Sequence, residues 1–210
     1  MTDPTWLLYA NPLSGNAWKA QQILTSAGIP YRSEEVPVVG DRDTARRGTP
    51  VGEHHVGRIP LLIGPDGERL AESNAILLWF GERAGLLPTE SMARHRVLEW
   101  LFFEQSQVLP SLATCRYLIR VAGVADQQPQ VIAFLQGRGR ATLDAIERRL
   151  AAPDAAGWLA NGACSIADVA VYPYTRMAPQ AGIDLDPWPA IRSWHARVEA
   201  REDFVSLPCL

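Results

Sequence analysis

The sequence predicts an α/β amino-terminal domain built on a mixed four-stranded sheet, followed by an all-helical domain. Three observations point there. Residues up to about 85 mix short apolar runs with helical periodicity and strong turn chemistry. From about Thr89 onward no segment alternates, and apolar residues recur at helical spacing instead. Between the two parts lies Gly85-Leu86-Leu87-Pro88-Thr89, whose Gly and Pro make it a natural linker.

The elements follow in order. Thr5 to Ala10 is a short apolar run suited to a buried strand, and Asn11-Pro12-Leu13-Ser14-Gly15 is a turn. Asn16 to Ala27 suits a helix closed by Gly28. Tyr31 to Val36 alternates in part and gives a second strand. Gly40 to Gly57 is punctuated by Gly and Pro and stays ambiguous. Arg58 to Ile63 is a third strand, Gly64-Pro65-Asp66-Gly67 a hairpin turn, and Glu68-Arg69-Leu70 the return strand. Ser73 then caps a helix running to about Ala84 and stopped by Gly85. In the second part, Met92 to Val121 carries Val97, Leu98, Leu101, Phe102, Gln105, Val108, Leu109 and Leu112 at helical spacing, with Pro110 as a kink. Pro129 to Leu150, a segment opening at Ser165, and Pro189 to Arg201 complete the helices.

Composition narrows the function classes. The 210 residues carry 20 Lys plus Arg against 23 Asp plus Glu, a formal net charge of -3. That balance gives no reason to expect nucleic acid or an acidic lipid surface as partner. No apolar run reaches the ~18 residues that a membrane span needs. Met1-Thr2-Asp3-Pro4 lacks the basic and apolar regions of a secretion signal, so a cytoplasmic location is expected. Cys115, Cys164 and Cys209 are too few and scattered for a disulfide framework or zinc site. His54 and His55 adjoin each other without a third ligand at set spacing, so no metal is expected. Nineteen of the twenty basic residues are Arg, and the one Lys is Lys19.

Three places could carry chemistry. Ser14-Gly15-Asn16 lies between a strand and a helix, where helix N–H groups can hold an anion, including a thiolate. Ser14 or Asn16 could equally be no more than the helix cap. In Arg58-Ile59-Pro60, a cis bond would present the Ile59 backbone to a peptide lying alongside, whereas a trans bond would make Pro60 an ordinary edge-strand proline. Glu72-Ser73 sets a carboxylate beside a helix N-terminus, a pairing that suits the zwitterionic end of an amino acid or serves as a plain cap.

Taken in order, these residues resemble the cytosolic glutathione transferase superfamily over nearly the whole chain. Ser14, Ile59-Pro60, Glu72-Ser73 and the continuation Ser73-Asn74-Ala75-Ile76 match its amino-terminal motifs, and Ser165-Ile166-Ala167-Asp168 matches its buried capping box. Ser14-Gly15-Asn16 with Lys19, Phe102-Phe103-Glu104-Gln105 and Arg116 are similar to a serine-type bacterial subgroup. Ser14 to Lys19 is also similar to the Ser-Ser-Cys-x-Trp-Arg run of the zeta class, with Asn16 where that class has Cys. His54-His55-Val56-Gly57 departs from the family's Asn-Pro-x-Gly.

The resemblance implies a thioredoxin-like glutathione-binding domain over 1–85 and an all-helical domain over 89–210 forming the electrophile pocket. It implies a transferase that ionises the glutathione thiol for attack on a hydrophobic electrophile, without a metal. Peroxide reduction, dehalogenation, isomerisation or a non-catalytic interaction protein of this fold are the alternatives. Ser14 and Asn16 would be catalytic. Lys19, Arg58, Ile59, Pro60, Glu72 and Ser73 would bind glutathione, with Lys19 either near the ligand or on the surface. Gln105 and Arg116 would line the electrophile pocket, reach across the two-fold of a homodimer, or lie on the helix surface. Asp168 would be structural.

Overall fold

The computed structural model of the chain describes residues 5–38 and 47–207. Met1 to Pro4, part of the ambiguous Gly40–Gly57 stretch and Cys209 lie outside the described residues. The chain divides into two units: one runs up to Gly85 and takes back the segment from Asp203, and the other is Leu86–Glu202.

The first unit is built on four strands: β1 (Trp6–Ala10), β2 (Tyr31–Glu35), β3 (Leu61–Ile63) and β4 (Arg69–Ala71). Their order is β2-β1-β3-β4. β1 pairs parallel with β2 and antiparallel with β3, and β3 pairs antiparallel with β4. Among the described residues three helices accompany them, α1 (Gly15–Ser26), α2 (Pro50–Glu53) and α3 (Ser73–Gly81). The apolar run of β1 does not alternate because both of its faces are covered. Tyr9 and Leu61 cluster with Val36 and with Val51 of α2. Leu8 and Leu62, paired on the opposite pleat, are fully buried, as are Ile23 and Leu24 of α1 and Ile76 and Leu77 of α3. Each such side chain contributes about 2 kcal/mol of burial.

Several boundaries differ from the sequence reading by a residue or more, three of them beside the candidate motifs. β3 begins at Leu61 because Pro60 has no N–H to give to the ladder. The return strand is Arg69–Ala71, one residue later than expected. Ser73 is the first helical residue of α3 rather than its cap; that place falls to Glu72, which makes no side-chain capping bond.

The tail from Asp203 packs with the first unit instead of continuing the helical one. Trp18 Nε1 donates to Val205 O at 2.7 Å. Gln22 donates to Asp203 O at 2.9 Å and accepts from Val205 N at 2.8 Å. Ser26 Oγ donates to the Asp203 carboxylate, and the Trp18 ring lies 6.0 Å from Phe204.

The second unit is helical: α4 (Ser91–Phe103), α5 (Thr114–Arg116), α6 (Pro129–Leu150), α7 (Ile166–Arg176) and α8 (Pro189–Glu199). Two π-helical stretches, Glu104–Ala113 and Tyr117–Val121, run between and after α4 and α5, where the sequence predicts one kinked helix. Pro110 cannot donate to the i−4 carbonyl and its ring crowds it. The chain answers by widening the turn, and Thr114 bonds Leu109 O through both its backbone N–H and its hydroxyl.

Asp168 is the polar centre of this unit. It is wholly buried at the start of α7 and completes a capping box with Ser165. Its oxygens accept from Ser165 N, Ser165 Oγ, Leu159 N and Trp194 Nε1 of α8 at 2.9–3.2 Å. Desolvation nevertheless pushes its pKa up to about 6, the hydrogen bonds opposing that rise.

Candidate functional site

The strand register gathers the amino-terminal motifs. Ala10 pairs with Glu35, Tyr9 with Leu61, and Leu61 with Ala71. The turn after β1, the residues before β3 and those after β4 therefore leave the same end of the sheet. Ser14, Ile59-Pro60 and Glu72-Ser73 all lie within these segments.

Asn11 fixes the first of them. Its Oδ1 accepts from Leu13 N at 2.9 Å, and its Nδ2 donates to Val36 O at 3.0 Å and Glu35 Oε1 at 3.1 Å. Ser14 N donates to Asn11 O, which delivers Ser14 to the N-cap of α1. There Ser14 Oγ accepts from Ala17 N at 3.2 Å. Capping uses a lone pair only. The hydroxyl proton makes no bond among the described residues, so the same oxygen can cap the helix and donate outward. The cap and the thiol donor, alternatives in sequence, are compatible in one residue.

Asn16 follows one residue into α1. Its Oδ1 is buried with no hydrogen-bond partner among the described residues. A buried amide oxygen left unmatched is costly, and such groups gather where a ligand or water completes them.

Ile59-Pro60 is cis. Pro60 is buried, and the Ile59 backbone N–H and C=O make no hydrogen bond among the described residues. Arg58, just before them, is exposed.

Glu72 has φ +64°, a left-handed conformation that a residue with a Cβ adopts at a cost of about 1–3 kcal/mol. It is exposed, whereas Ser73 is buried. Glu72 makes no side-chain cap to α3, and the helix N-terminus there carries partial positive charge that favours an anion.

The remaining predicted residues fall elsewhere. Lys19 is not on the surface: it is fully buried and its Nζ donates to Asn74 Oδ1 of α3 at 3.4 Å. Gln105 is exposed, although its spacing placed it on the apolar stripe. Arg116 is not a surface residue: it is 4% exposed and donates to Gln180 at 2.7 Å. Trp18 is core. His54 and His55 stack at 4.3 Å, and burial and the neighbouring imidazole hold His54's pKa below the usual histidine range. Cys115 is buried, which pushes its thiol pKa up. A cavity of about 320 Å³ in the helical unit, lined by Arg96, Trp100, Arg149, Asp154 and Asn161 among others, includes no predicted site residue. Among the described residues no cluster of His, Cys, Asp and Glu could hold a metal ion. Among them, too, no helix is long and apolar enough to cross a membrane.

A thioredoxin-like sheet whose cis-proline, first helix and β4–α3 corner share one end, followed by a helical unit, defines a two-part class of protein. Family models described as glutathione S-transferase N-terminal domain and C-terminal domain match residues 8–89 and 113–202. The crystal structure of a glutathione S-transferase from Xanthobacter autotrophicus matches with a TM-score of 0.89 and 36% identity, covering 97% of each chain. The disulfide-bond oxidoreductase YfcG of Escherichia coli is 30% identical over 151 residues, 69% of this chain and 68% of its own. Maleylacetoacetate isomerase of Pseudomonas aeruginosa is 27% identical over 190 residues, 88% of this chain and 87% of its own. The chain belongs to the glutathione S-transferase family.

Proposed function

We propose that the protein is a glutathione transferase that binds glutathione at the sheet end described above and attacks a hydrophobic electrophile with its thiolate. The observation that carries this reading is the Ser14 hydroxyl, which caps α1 with a lone pair and keeps its proton for a ligand. A free thiol ionises near pH 8.5, so only a few per cent is thiolate at pH 7. Lowering that pKa by about two units needs about 2.7 kcal/mol of selective thiolate stabilisation. One or two charge-assisted hydrogen bonds at ~1.5–3 kcal/mol each supply it, from the Ser14 hydroxyl and the Asn16 amide or a backbone N–H of α1.

The rest of the tripeptide follows the open donors and acceptors. The Ile59 N–H and C=O would pair with the cysteinyl backbone. The Glu72 carboxylate would take the γ-glutamyl ammonium, and Ser73 with the first turn of α3 its carboxylate. Arg58 would meet the glycyl carboxylate. In the reaction the S–H proton leaves to solvent, the sulfur pair forms the S–C bond, and the leaving group departs with its bonding pair. Gln105, Arg116 and the helical part would supply the electrophile's surroundings, within a homodimer.

A second reading has a specific support: the 30% identical relative is a disulfide-bond oxidoreductase. The same thiolate would then attack one sulfur of a disulfide, forming a mixed disulfide as the original S–S bond breaks and its other sulfur leaves as thiolate. Steady-state turnover of an aryl halide with glutathione, set against turnover of a glutathione-reducible disulfide, separates the two. Ser14→Ala is expected to lower the favoured activity at least tenfold. Full activity in that variant removes Ser14 as thiol activator, and no heat of glutathione binding at millimolar concentration ends both readings.

A further inference from the structure

The one lysine of the chain occupies the most enclosed position a charge can have. Lys19 is 0% exposed, while the other nineteen basic residues are all Arg. A fully buried ammonium is expensive to hold, and a chain so strongly biased toward Arg has kept Lys at this one place. An ammonium is compact on a flexible stem, whereas a guanidinium is a broad planar fork with five donors to satisfy. The site therefore suits a compact cation on a flexible stem.

Lys19 Nζ donates to Asn74 Oδ1, 3.4 Å away. Asn74 follows Ser73 directly and lies in the first turn of α3. The bond therefore fastens the mouth of α3 to α1, at a point five residues, or ~7.5 Å of helix, beyond Ser14. This end of α3 lacks the usual fixings. Its N-cap, Glu72, makes no side-chain capping bond and stands at φ +64°. Lys19 and Asn74 each make interactions beyond this one.

We propose that Lys19 is a positioning residue for the γ-glutamyl end of glutathione. It touches no substrate atom. Through Asn74 it holds Ser73 and the first turn of α3 at a set distance from the Ser14 turn, so that one tripeptide can engage both. This rests on the glutathione reading above.

The test compares two thiols in the same assay, glutathione and cysteinylglycine, which lacks the γ-glutamyl group. In the wild-type protein the ratio of their kcat/KM values measures what that group contributes. Lys19→Met is expected to lower the ratio at least tenfold, because glutathione loses its second anchor and the dipeptide never had it. General damage to the fold would lower both thiols alike and leave the ratio in place. An unchanged ratio in Lys19→Met overturns the proposal and spares the glutathione reading. A wild-type protein that does not turn over glutathione overturns both. Should Lys19→Met fail to fold, Asn74→Ala carries the same test: a ratio at least tenfold lower supports the proposal and an unchanged one overturns it.

Discussion

At the scale of single residues, two buried titratable groups act on the helical unit in opposite senses. Asp168 has its pKa raised to about 6 by desolvation. An unfolded aspartate titrates near pH 3.9. Its favourable share of stability is thus complete below about pH 4 and is lost as pH rises through about 6. His195 of α8 is the reverse. Burial first, and then the Arg176 charge, lower its pKa to about 3, and its Nε2 lies 2.9 Å from Thr175 Oγ1. Its share is complete above about pH 6.5 and is lost as pH falls toward 3. Between about pH 4 and 6 the two slopes oppose each other. Melting temperatures across that window are expected to be nearly level in the wild type. They should rise toward acid in His195→Asn and fall toward acid in Asp168→Asn. Asp168→Asn should also cost about 3 kcal/mol at neutral pH, since an amide cannot accept from all four donors now aimed at the carboxylate. Parallel curves for the three proteins would refute the assignment of these slopes.

At the scale of elements, the tail and α1 form one structural piece. Gln22 is 3% exposed and spends both ends of its amide on the strap, donating to Asp203 O and accepting from Val205 N. Gln22→Ala would leave two strap groups unmatched and is expected to cost about 2 kcal/mol in denaturant unfolding of the first unit; a change under about 0.5 kcal/mol would show that Trp18, Ser26 and Phe204 hold the strap without it. No periodicity announces this arrangement in the sequence, because the strap is bonded by side chains of a helix some 180 residues away rather than by its own backbone pattern. β1, α1, the Gly64–Gly67 turn and α6 were legible for the opposite reason: each is encoded by local apolar spacing, a cap or turn residues. The Pro110 region was half legible. Proline marks an interruption in a helix, but whether the chain kinks or widens into π turns depends on what packs around it.

At the scale of the whole molecule, the site was legible as a sequence of motifs and illegible as a set of bonds. Ser14, Ile59-Pro60 and Glu72-Ser73 stand out by type and order, and the sheet register then brings them to one end. The surface alternative for Lys19 and Arg116 fails, although a basic residue on a helix is ordinarily solvated. Their burial depends on partners far along the chain, Asn74 and Gln180, which no local pattern reveals. Asp168 was recognisable as a capping residue through Ser165, but its bond to Trp194 comes from a separate helix. Even in a family this recognisable, then, local residues encode the cap and register while distant ones decide which charges are enclosed.

The enclosure of Lys19 gives the molecule an internal clock. No ε-amine is available on the folded surface, since the chain's one lysine is wholly covered. An acylating ester offered in native buffer should leave Lys19 unmodified in peptide mass maps, and the adduct there should accumulate only as fast as the packing of α1 against α3 opens. Adduct growth in denaturant would then time the opening of the first unit alone, from one residue and without an added dye. Rapid acylation of Lys19 in the native protein would mean that the ammonium is not enclosed after all.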